Sequence, residues 1–185
     1  MEASFFDGRE HLRGVRQGDY FALCTSTPEI RQWLAESLTY VFQQVPGLGG
    51  VFTITGSENF TNCYGHSRTA AGCPRCSKRS GPQVIAEVNR TIAEAVWAGS
   101  PSARVIVWDW GWGDEMSVNL IPLLPRDVRF LSVSEWDQPV HRGGVHTKVG
   151  EYSISVVGPG PRATTNWERA RKHGIRTMAK VQFNN

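Results

Sequence analysis

The fold that the sequence predicts depends on residues 49–63, which read Gly-Gly-Val-Phe-Thr-Ile-Thr-Gly-Ser-Glu-Asn-Phe-Thr-Asn-Cys. The first half of this stretch is a short apolar, β-branched run without proline, which is typical of a buried strand. Ser57, Glu58 and Asn59 follow the strand after a single glycine. Because parallel α/β enzymes place their chemistry at the carboxyl ends of strands, Glu58 is a candidate catalytic acid, with Ser57 and Asn59 as substrate-binding residues. The alternative is that Glu58 is a solvated loop acid.

Predicted strands alternate with predicted helices along the chain. A helix with a hydroxyl cap at Ser26 is expected to begin at Thr27-Pro28-Glu29 and to end before Pro46-Gly47. The other elements follow in chain order: a strand at 50–55, a helix from about 82 to 99, a strand at 104–110, a short helix at 116–124, strands at 128–134 and 151–157, a helix at 165–173 and a strand at 177–183. A polar loop that contains His141 and His146 separates the strands at 128–134 and 151–157.

This alternation predicts parallel pairing with right-handed crossovers in a single α/β domain that spans residues 1–185. Each main strand ends beside a polar or acidic residue, which favours a (β/α)8, or TIM, barrel over a doubly wound open sheet. A complete barrel takes about 250 residues, so the expectation is a partial barrel of four to five parallel βα units. Residues 1–19 stay poorly defined, and residues 56–81 form a long loop inside the barrel fragment.

Composition and charge exclude several classes of protein. Apolar residues make up 40% of the chain and charged residues 20%, which is typical of a folded soluble domain. The net charge of +3 is too small to indicate a nucleic-acid partner. No apolar run approaches the roughly 20 residues of a membrane span, so no membrane partner is expected. No glycine-rich nucleotide motif occurs, so no organic cofactor is expected. The start of the chain has no secretory signal, which predicts a cytoplasmic protein, or an extracellular or periplasmic one if the chain is part of a longer protein.

Two further carboxylates are predicted at the same edge of the sheet as Glu58. Asp109 lies at the end of the strand predicted at 104–110, and Glu135 directly follows the strand predicted at 128–134. Four tryptophans lie beside them in the sequence: Trp108, Trp110, Trp112 and Trp136. Glycoside hydrolysis needs a carboxylic acid that protonates the leaving oxygen and a second group that stabilises the transition state, and indole faces stack on sugars. These residues are therefore candidate catalytic and substrate-binding groups, with ordinary core packing as the alternative for the tryptophans.

Three segments resemble the catalytic barrel of family 20 glycoside hydrolases, the β-N-acetylhexosaminidases: Phe21–Cys24, Thr27–Glu29 and Thr55–Glu58. The pair Trp108-Asp109 resembles the end of the fifth strand of that family, and the whole chain is similar to uncharacterised bacterial members. The resemblance implies a carbohydrate partner and Glu58 as the proton donor. Ser57 stands where the family has an aspartate that orients the substrate acetamido group, so Asp109 or Glu135 would supply the second carboxylate.

The long loop carries a second candidate site, in which Cys63, His66, Cys73 and Cys76 follow one another with spacings of two, six and two residues. A Cys-Pro-Arg-Cys knuckle aims two thiolates at one point, and the four side chains are ligands that zinc prefers. The sequence therefore predicts a structural zinc. A Cys73–Cys76 or Cys63–Cys73 disulfide, or free thiols, are the alternatives. Cys24 is expected to lie apart from this loop as a buried core residue.

These observations lead to two hypotheses that involve a barrel, and to a third in which the chain is a zinc-stabilised interaction module. The first is a glycoside hydrolase-like barrel fragment of the β-hexosaminidase type, with Glu58 as general acid. The second is a catalytically inactive remnant of such a barrel, zinc-stabilised in one version, that binds sugar or only self-associates. Since an open fragment leaves sheet edges unpaired, homo-oligomers are expected in either case.

Overall fold

The computed structural model describes residues 1–56, 59–66, 69–151, 153 and 155–181. The strands are β1 (Arg13–Gln17), β2 (Tyr20–Leu23), β3 (Gly50–Ile54), β4 (Arg104–Trp108), β5 (Arg129–Val133), β6 (Pro139–Arg142), β7 (Val145–Lys148) and β8 (Arg176–Lys180). The α-helices are α1 (Pro28–Gln44), α2 (Gly81–Gly99), α3 (Asp114–Leu120) and α4 (Pro161–Lys172). Short 3-10 helices span Ala3–Phe6, Glu10–Leu12, Cys76–Lys78 and Ile121–Leu123.

The centre of the fold is a four-stranded sheet in the order β3-β4-β5-β8, and all of its pairs are parallel. Each strand therefore lies beside the strand of this sheet that precedes it in the chain. The prediction of an α/β fold with parallel strands joined by helices is confirmed. Strands β3 and β8 lie at the two edges of the sheet within the described residues.

The helices pack against one face of the sheet and form the main core with it. Val105 and Val107 of β4 and Phe130 of β5 point to this face and are fully or almost fully buried. They pack in a cluster with side chains from the helices, among them Val84, Ile85, Val96, Leu120 and Ala170. The alternation of side chains along each strand therefore divides the sheet into a helix-covered face and an opposite face.

The opposite face carries a second, smaller apolar cluster. Trp108, Trp110, Leu131 and Val133 form it, and Ile54, Ile106, Trp136 and Met178 pack against it. In the described residues no helix contributes to this cluster. Phe52 lies on the same face at the edge strand β3, with its ring edge-on to Trp108, and 57% of its surface is exposed. This face is thus covered mainly by indole rings.

A buried polar network joins helix α2 to the end of strand β3. The Thr53 hydroxyl donates to Asn89 Oδ1 at 2.7 Å, and Asn89 Nδ2 donates to the Thr55 hydroxyl at 3.2 Å and to the Ile85 carbonyl at 3.0 Å. The Thr55 carbonyl in turn accepts from Asn62 Nδ2 at 2.7 Å. Since each of these polar groups is buried with a partner, the network fixes the path of the chain on both sides of residues 57 and 58.

Some element boundaries differ from the predictions. Helix α1 begins at Pro28 as expected, but its N-cap is Thr27 without a side-chain capping bond, whereas the capping box is formed by Ser80 and Gln83 at α2. The strand expected at 151–157 is absent from the described residues there, and the loop that contains His141 and His146 forms the β6–β7 hairpin instead. Residues 1–19 include β1, which pairs antiparallel with β2. Within the described part of the chain, no helix has the length and hydropathy that a bilayer crossing requires.

Candidate functional site

Four cysteines meet in the interior beside the long loop. The sulfur atoms of Cys24, Cys63, Cys73 and Cys76 all lie within 4.8 Å of one another, and all four residues have no exposed surface. The Sγ atom of Cys24 is 3.5 Å from that of Cys73 and 3.7 Å from that of Cys76. All four are free thiols, so neither of the alternative disulfides is formed. We call this group the four-cysteine cluster.

The cysteines of the four-cysteine cluster come from separate segments of the chain. Cys24 directly follows strand β2, and Cys63 lies in the loop after β3. Cys73 and Cys76 form the predicted knuckle, in which the Cys76 amide donates to the Cys73 sulfur at 3.5 Å. Because these segments belong to the hairpin and the loop, the cluster joins two parts of the chain that are distant in sequence.

The predicted ligand set is correct in part. Cys63, Cys73 and Cys76 come together as expected, but the fourth member is Cys24, so the expectation that Cys24 lies apart is wrong. His66 does not belong to the cluster: its side chain is exposed and its ring packs against Phe60 at 5.1 Å. The physical reason is that the hairpin folds back over the loop and fills the fourth position with a residue 39 positions before Cys63.

The close approach of the thiols shifts their pKa values in opposite directions. Contact with the Cys63 and Cys76 thiols, together with a hydrogen bond from Arg75, lowers the pKa of Cys24. The same contact with Cys24, reinforced by burial, raises the pKa of Cys63. Contact with Cys24 also raises the pKa of Cys76, to about 11. A metal that binds all four sulfurs must therefore displace protons from the thiols whose pKa is raised.

Gly14 of strand β1 leaves room for the cluster. A Cβ atom at this position would lie 2.6 Å from the Cys63 sulfur and 3.0 Å from the Ala22 carbonyl oxygen. We therefore expect Gly14→Ala to displace Cys63 and, for a metal ion held by the four sulfurs, to weaken binding at least about tenfold, the smaller of the losses that changes beside metal ligands usually cause. Competition titration with a chromophoric chelator measures this. Gly47→Ala is the matched control, since a Cβ there would meet nothing within 4 Å. Equal affinities for the two variants would contradict this account.

A second group of polar residues lies at the carboxyl edge of the sheet, around Asp109. This carboxylate has no exposed surface, and its Oδ2 accepts from the Ser132 hydroxyl at 2.8 Å, from Arg162 Nη1 at 2.8 Å and from Asn166 Nδ2 at 3.3 Å. Burial raises the pKa of Asp109, against the opposing effect of the Arg162 charge and these hydrogen bonds. Its Oδ1 has no hydrogen-bond partner among the described residues.

Arg162, in the first turn of α4, holds this edge together. Its Nη2 donates to the Trp112 carbonyl at 2.9 Å, and its guanidinium lies 4.4 Å from the centroid of the Trp136 ring. Only 6% of its side chain is exposed. The buried pair of Arg162 and Asp109 therefore links α4 to the ends of β4 and β5.

Trp136, which packs against Arg162, belongs to a row of three indoles and directly follows Glu135 in the chain. Glu135 is buried, and its Oε2 has no hydrogen-bond partner within the described part of the chain. Trp108, Trp110 and Trp136 form an indole row, with centroids 5.0 Å apart for the first pair and 5.4 Å for the second. Trp112 is buried in the helix-facing core instead and packs against Phe130, as the core-packing alternative expected.

The residues predicted to carry chemistry after strand β3 lie mostly outside the described part of the chain. Glu58 and Ser57 lie outside the described residues, and Asn59 is exposed. Sequence reasoning did not identify Arg162, Ser132 or Asn166 as members of this edge. The signal that was available is the Gly160-Pro161-Arg162 sequence, in which Pro161 occupies the first position of α4 and so sets the arginine in the first turn.

No protein-family model matches the chain, and neither does any curated protein or solved structure. The site must therefore be interpreted from its own geometry.

Proposed function

We propose that the four-cysteine cluster binds one structural zinc ion. A tetrahedral zinc with Zn–S bonds of about 2.3 Å separates its sulfur ligands by about 3.8 Å. The distances of 3.5 and 3.7 Å from the Cys24 sulfur to those of Cys73 and Cys76 are close to this value, and this geometry is the observation that carries the proposal. Four soft, buried thiolates that leave no position for water are typical of a structural site rather than a catalytic one.

The proposed ion would fasten the β1–β2 hairpin and the long loop to each other. The described residues of the loop between β3 and α2 contain little regular structure apart from the turn at Cys76–Lys78. Tyr64 contributes a further tie, since its hydroxyl donates to the Arg79 carbonyl at 2.6 Å. A metal bound to all four sulfurs would add four strong bonds to the hydrogen bonds that already join the loop to the hairpin, such as that from Arg75 to the Arg13 carbonyl.

Metal analysis of the purified chain tests this proposal. We expect one zinc per chain by elemental analysis, and chelation should lower the thermal midpoint and unfold the hairpin and loop first. Iron bound in place of zinc would be detected by its visible absorption, and the proposed ion would then be iron. A chain that folds with four titratable thiols and no affinity for zinc would contradict it.

A second function is favoured by the carboxyl edge. We propose that this edge binds a glycoside and, with Glu58 as general acid, cleaves it. Asp109 and Glu135 each carry a buried carboxylate oxygen without a partner among the described residues, at the ends of two adjacent strands. Such oxygens need a ligand or water to satisfy them. In the indole row, Trp108 and Trp110 are each only 7% exposed, so the partly exposed Trp136, which follows Glu135, is the indole on which a sugar ring would stack.

The strand order is compatible with this proposal. Sheets that add each strand beside its predecessor, with all helices on one face, are what a (β/α)8 barrel requires, whereas a doubly wound sheet reverses direction. We therefore propose that the described sheet is part of a barrel like that of family 20 glycoside hydrolases. In this arrangement Glu135 is better suited than Asp109 to act on a substrate, since Asp109 is already paired with Arg162.

Hydrolysis of aryl glycosides tests the catalytic proposal. We expect Glu58→Gln to reduce turnover at least about 100-fold, the usual contribution of a general acid, with almost no change in the thermal midpoint. Glu115→Gln, in an exposed position of α3, is the matched control and should retain full activity. A loss of turnover in the control equal to that in Glu58→Gln would contradict the assignment.

Binding without turnover would instead favour the inactive remnant. The two edge strands β3 and β8 each have one unpaired side within the described residues, which favours self-association of such a remnant. Light scattering distinguishes a dimer from a monomer, and calorimetry with oligosaccharides measures binding.

A further inference from the structure

We infer that Arg75 is a positioning residue that determines how tightly the four-cysteine cluster holds its metal. This inference rests on the proposed zinc-binding function. Arg75 lies between Cys73 and Cys76 in the knuckle, and its side chain is half-buried. It lies in the basic stretch Arg75 to Arg79, which otherwise has the appearance of a solvated charged surface.

The Arg75 guanidinium makes two directed hydrogen bonds. Its Nε donates to the Cys24 sulfur at 3.2 Å, and its Nη2 donates to the Arg13 carbonyl at 3.0 Å. One planar group therefore links the knuckle, the cysteine that follows β2 and the start of β1. Lysine cannot reproduce two such bonds with fixed relative directions, because its ammonium group is a single point charge.

The bond to Cys24 has an electrostatic role as well as a geometric one. Four thiolates around a divalent cation carry a net charge of −2, and a buried charge must be compensated by hydrogen bonds or opposite charges. Of the described basic side chains, Arg75 is the one that donates directly to a cluster sulfur. Cys24 is also the ligand that comes from the hairpin, so this bond holds in position the sulfur that is most distant in sequence from the knuckle.

Among the described contacts, the hydrogen bonds of Arg79 reach the cluster through a neighbour, Ser26. Its Nη1 donates to the Ser26 hydroxyl at 2.8 Å, and that hydroxyl lies 3.2 Å from the Cys76 sulfur. Because an arginine can only donate, the Ser26 proton is available for the Cys76 sulfur. Most of the Arg79 charge is compensated by Glu87, whose Oε2 is 2.8 Å away. Arg75 is therefore the cation expected to have the larger effect.

Lys78 provides a matched control for the charge of Arg75. It belongs to the 3-10 helix Cys76–Lys78 and is exposed, and its side chain has no hydrogen bond or ion pair in the described structure. Lys78→Gln and Arg75→Gln each remove one positive charge, and the two positions are three residues apart. A general effect of charge on the metal would be the same in both variants, whereas the hydrogen bond to Cys24 is lost only in Arg75→Gln.

Zinc competition titrations on the full chain test the inference. We expect Arg75→Gln to weaken zinc binding about 10- to 100-fold, the range found for groups that hydrogen-bond to metal ligands, and Lys78→Gln to change it less than about threefold. Arg75→Lys should recover only part of the loss. With Co²⁺ as a probe, the sulfur-to-cobalt charge-transfer band should shift in Arg75→Gln and stay in place in Lys78→Gln, which a purely structural role would not cause.

Failure of this inference is distinguishable from failure of the zinc proposal. If the unaltered chain binds neither zinc nor cobalt, the proposed function is wrong. If it binds both, and Arg75→Gln has the same affinity and the same cobalt spectrum as Lys78→Gln, the inference about Arg75 is overturned.

Discussion

Cys24→Ser is expected to abolish zinc binding and to lower the stability of the chain to that of the metal-free protein. A ligand present at 100 times its dissociation constant stabilises a fold by about 2.7 kcal/mol, so a loss of at least about this size is expected under those conditions. The serine hydroxyl is a poor zinc ligand, and the three thiolates that remain do not complete the tetrahedral set of a structural site. Thermal unfolding of the variant, with and without a chelator, measures the effect.

His66→Ala is the control for this prediction. The spacing of residues 63–76 favoured His66 as a ligand, but its side chain is exposed and lies outside the four-cysteine cluster. We expect His66→Ala to bind zinc as tightly as the unaltered chain. The account of the cluster would be wrong if His66→Ala lost the metal, or if a chelator destabilised Cys24→Ser as much as it destabilised the unaltered chain.

Arg162→Gln is expected to destabilise the fold by about 3–5 kcal/mol at neutral pH, because it leaves a buried carboxylate without its counter-charge. Asp109 has no exposed surface, and 6% of the Arg162 side chain is exposed, so bulk solvent would compensate poorly for the lost partner. Urea unfolding measures the loss of folding free energy in the variant. Arg171→Gln, at an exposed position of the same helix, should change stability by less than about 0.5 kcal/mol.

The loss of stability caused by Arg162→Gln should become smaller as the pH falls. Burial already raises the pKa of Asp109, and Arg162 opposes this shift, so the variant should raise the pKa further. The folded variant then binds a proton that the unfolded chain releases, and its stability falls as the pH rises through that interval. We therefore expect the difference from the unaltered chain to shrink on acidification, where the Asp109 carboxyl is neutral.

The double variant Asp109→Asn with Arg162→Gln separates the charge from the packing. It removes both charges together, so it should be less destabilised than Arg162→Gln alone. A double variant that was as unstable as the single one at all pH values would mean that the ion pair has no special role and that Arg162 acts through its packing on Trp136.

The parallel sheet and its helices were predictable because their signals are local. The apolar runs in β3, β4 and β5 are short and β-branched, and residues of the intervening helices recur at helical spacing, which predicts βαβ units without any tertiary information. The helix start at Pro28 was equally clear, although its capping was not. Thr27 is the N-cap, and its hydroxyl donates to the Cys24 carbonyl at 2.6 Å instead of accepting from the helix.

The complete set of cysteines was not predictable, because one of its members is supplied from a distance. Spacing identified Cys73 and Cys76, which share a turn, and Cys63, which shares their loop. Spacing could not show that Cys24 replaces His66, since this depends on how the hairpin packs on the loop. The same limit explains why Arg162 was missed: it lies 53 residues beyond Asp109, and only the folded chain brings the two within 2.8 Å.

The hydrophobic stripe of α1 illustrates a different limit. Its apolar residues recur at helical spacing, which predicts a buried face, yet only Ile30 and Phe42 are buried and 57% of Trp33 is exposed. Periodicity shows which side chains share a face of a helix. It does not show how much of that face another part of the chain covers.

The strand order of the central sheet also bears on how the chain is made. Since β4, β5 and β8 each lie beside the preceding strand of that sheet, the sheet can grow in the order in which a ribosome releases these segments. The four-cysteine cluster cannot assemble in this stepwise way, because Cys24 emerges early and the cluster is complete only after Cys76 has been synthesised. During this interval the thiol of Cys24 is exposed to oxidants and chaperones, so nascent chains should be most sensitive to oxidation before the knuckle leaves the exit tunnel.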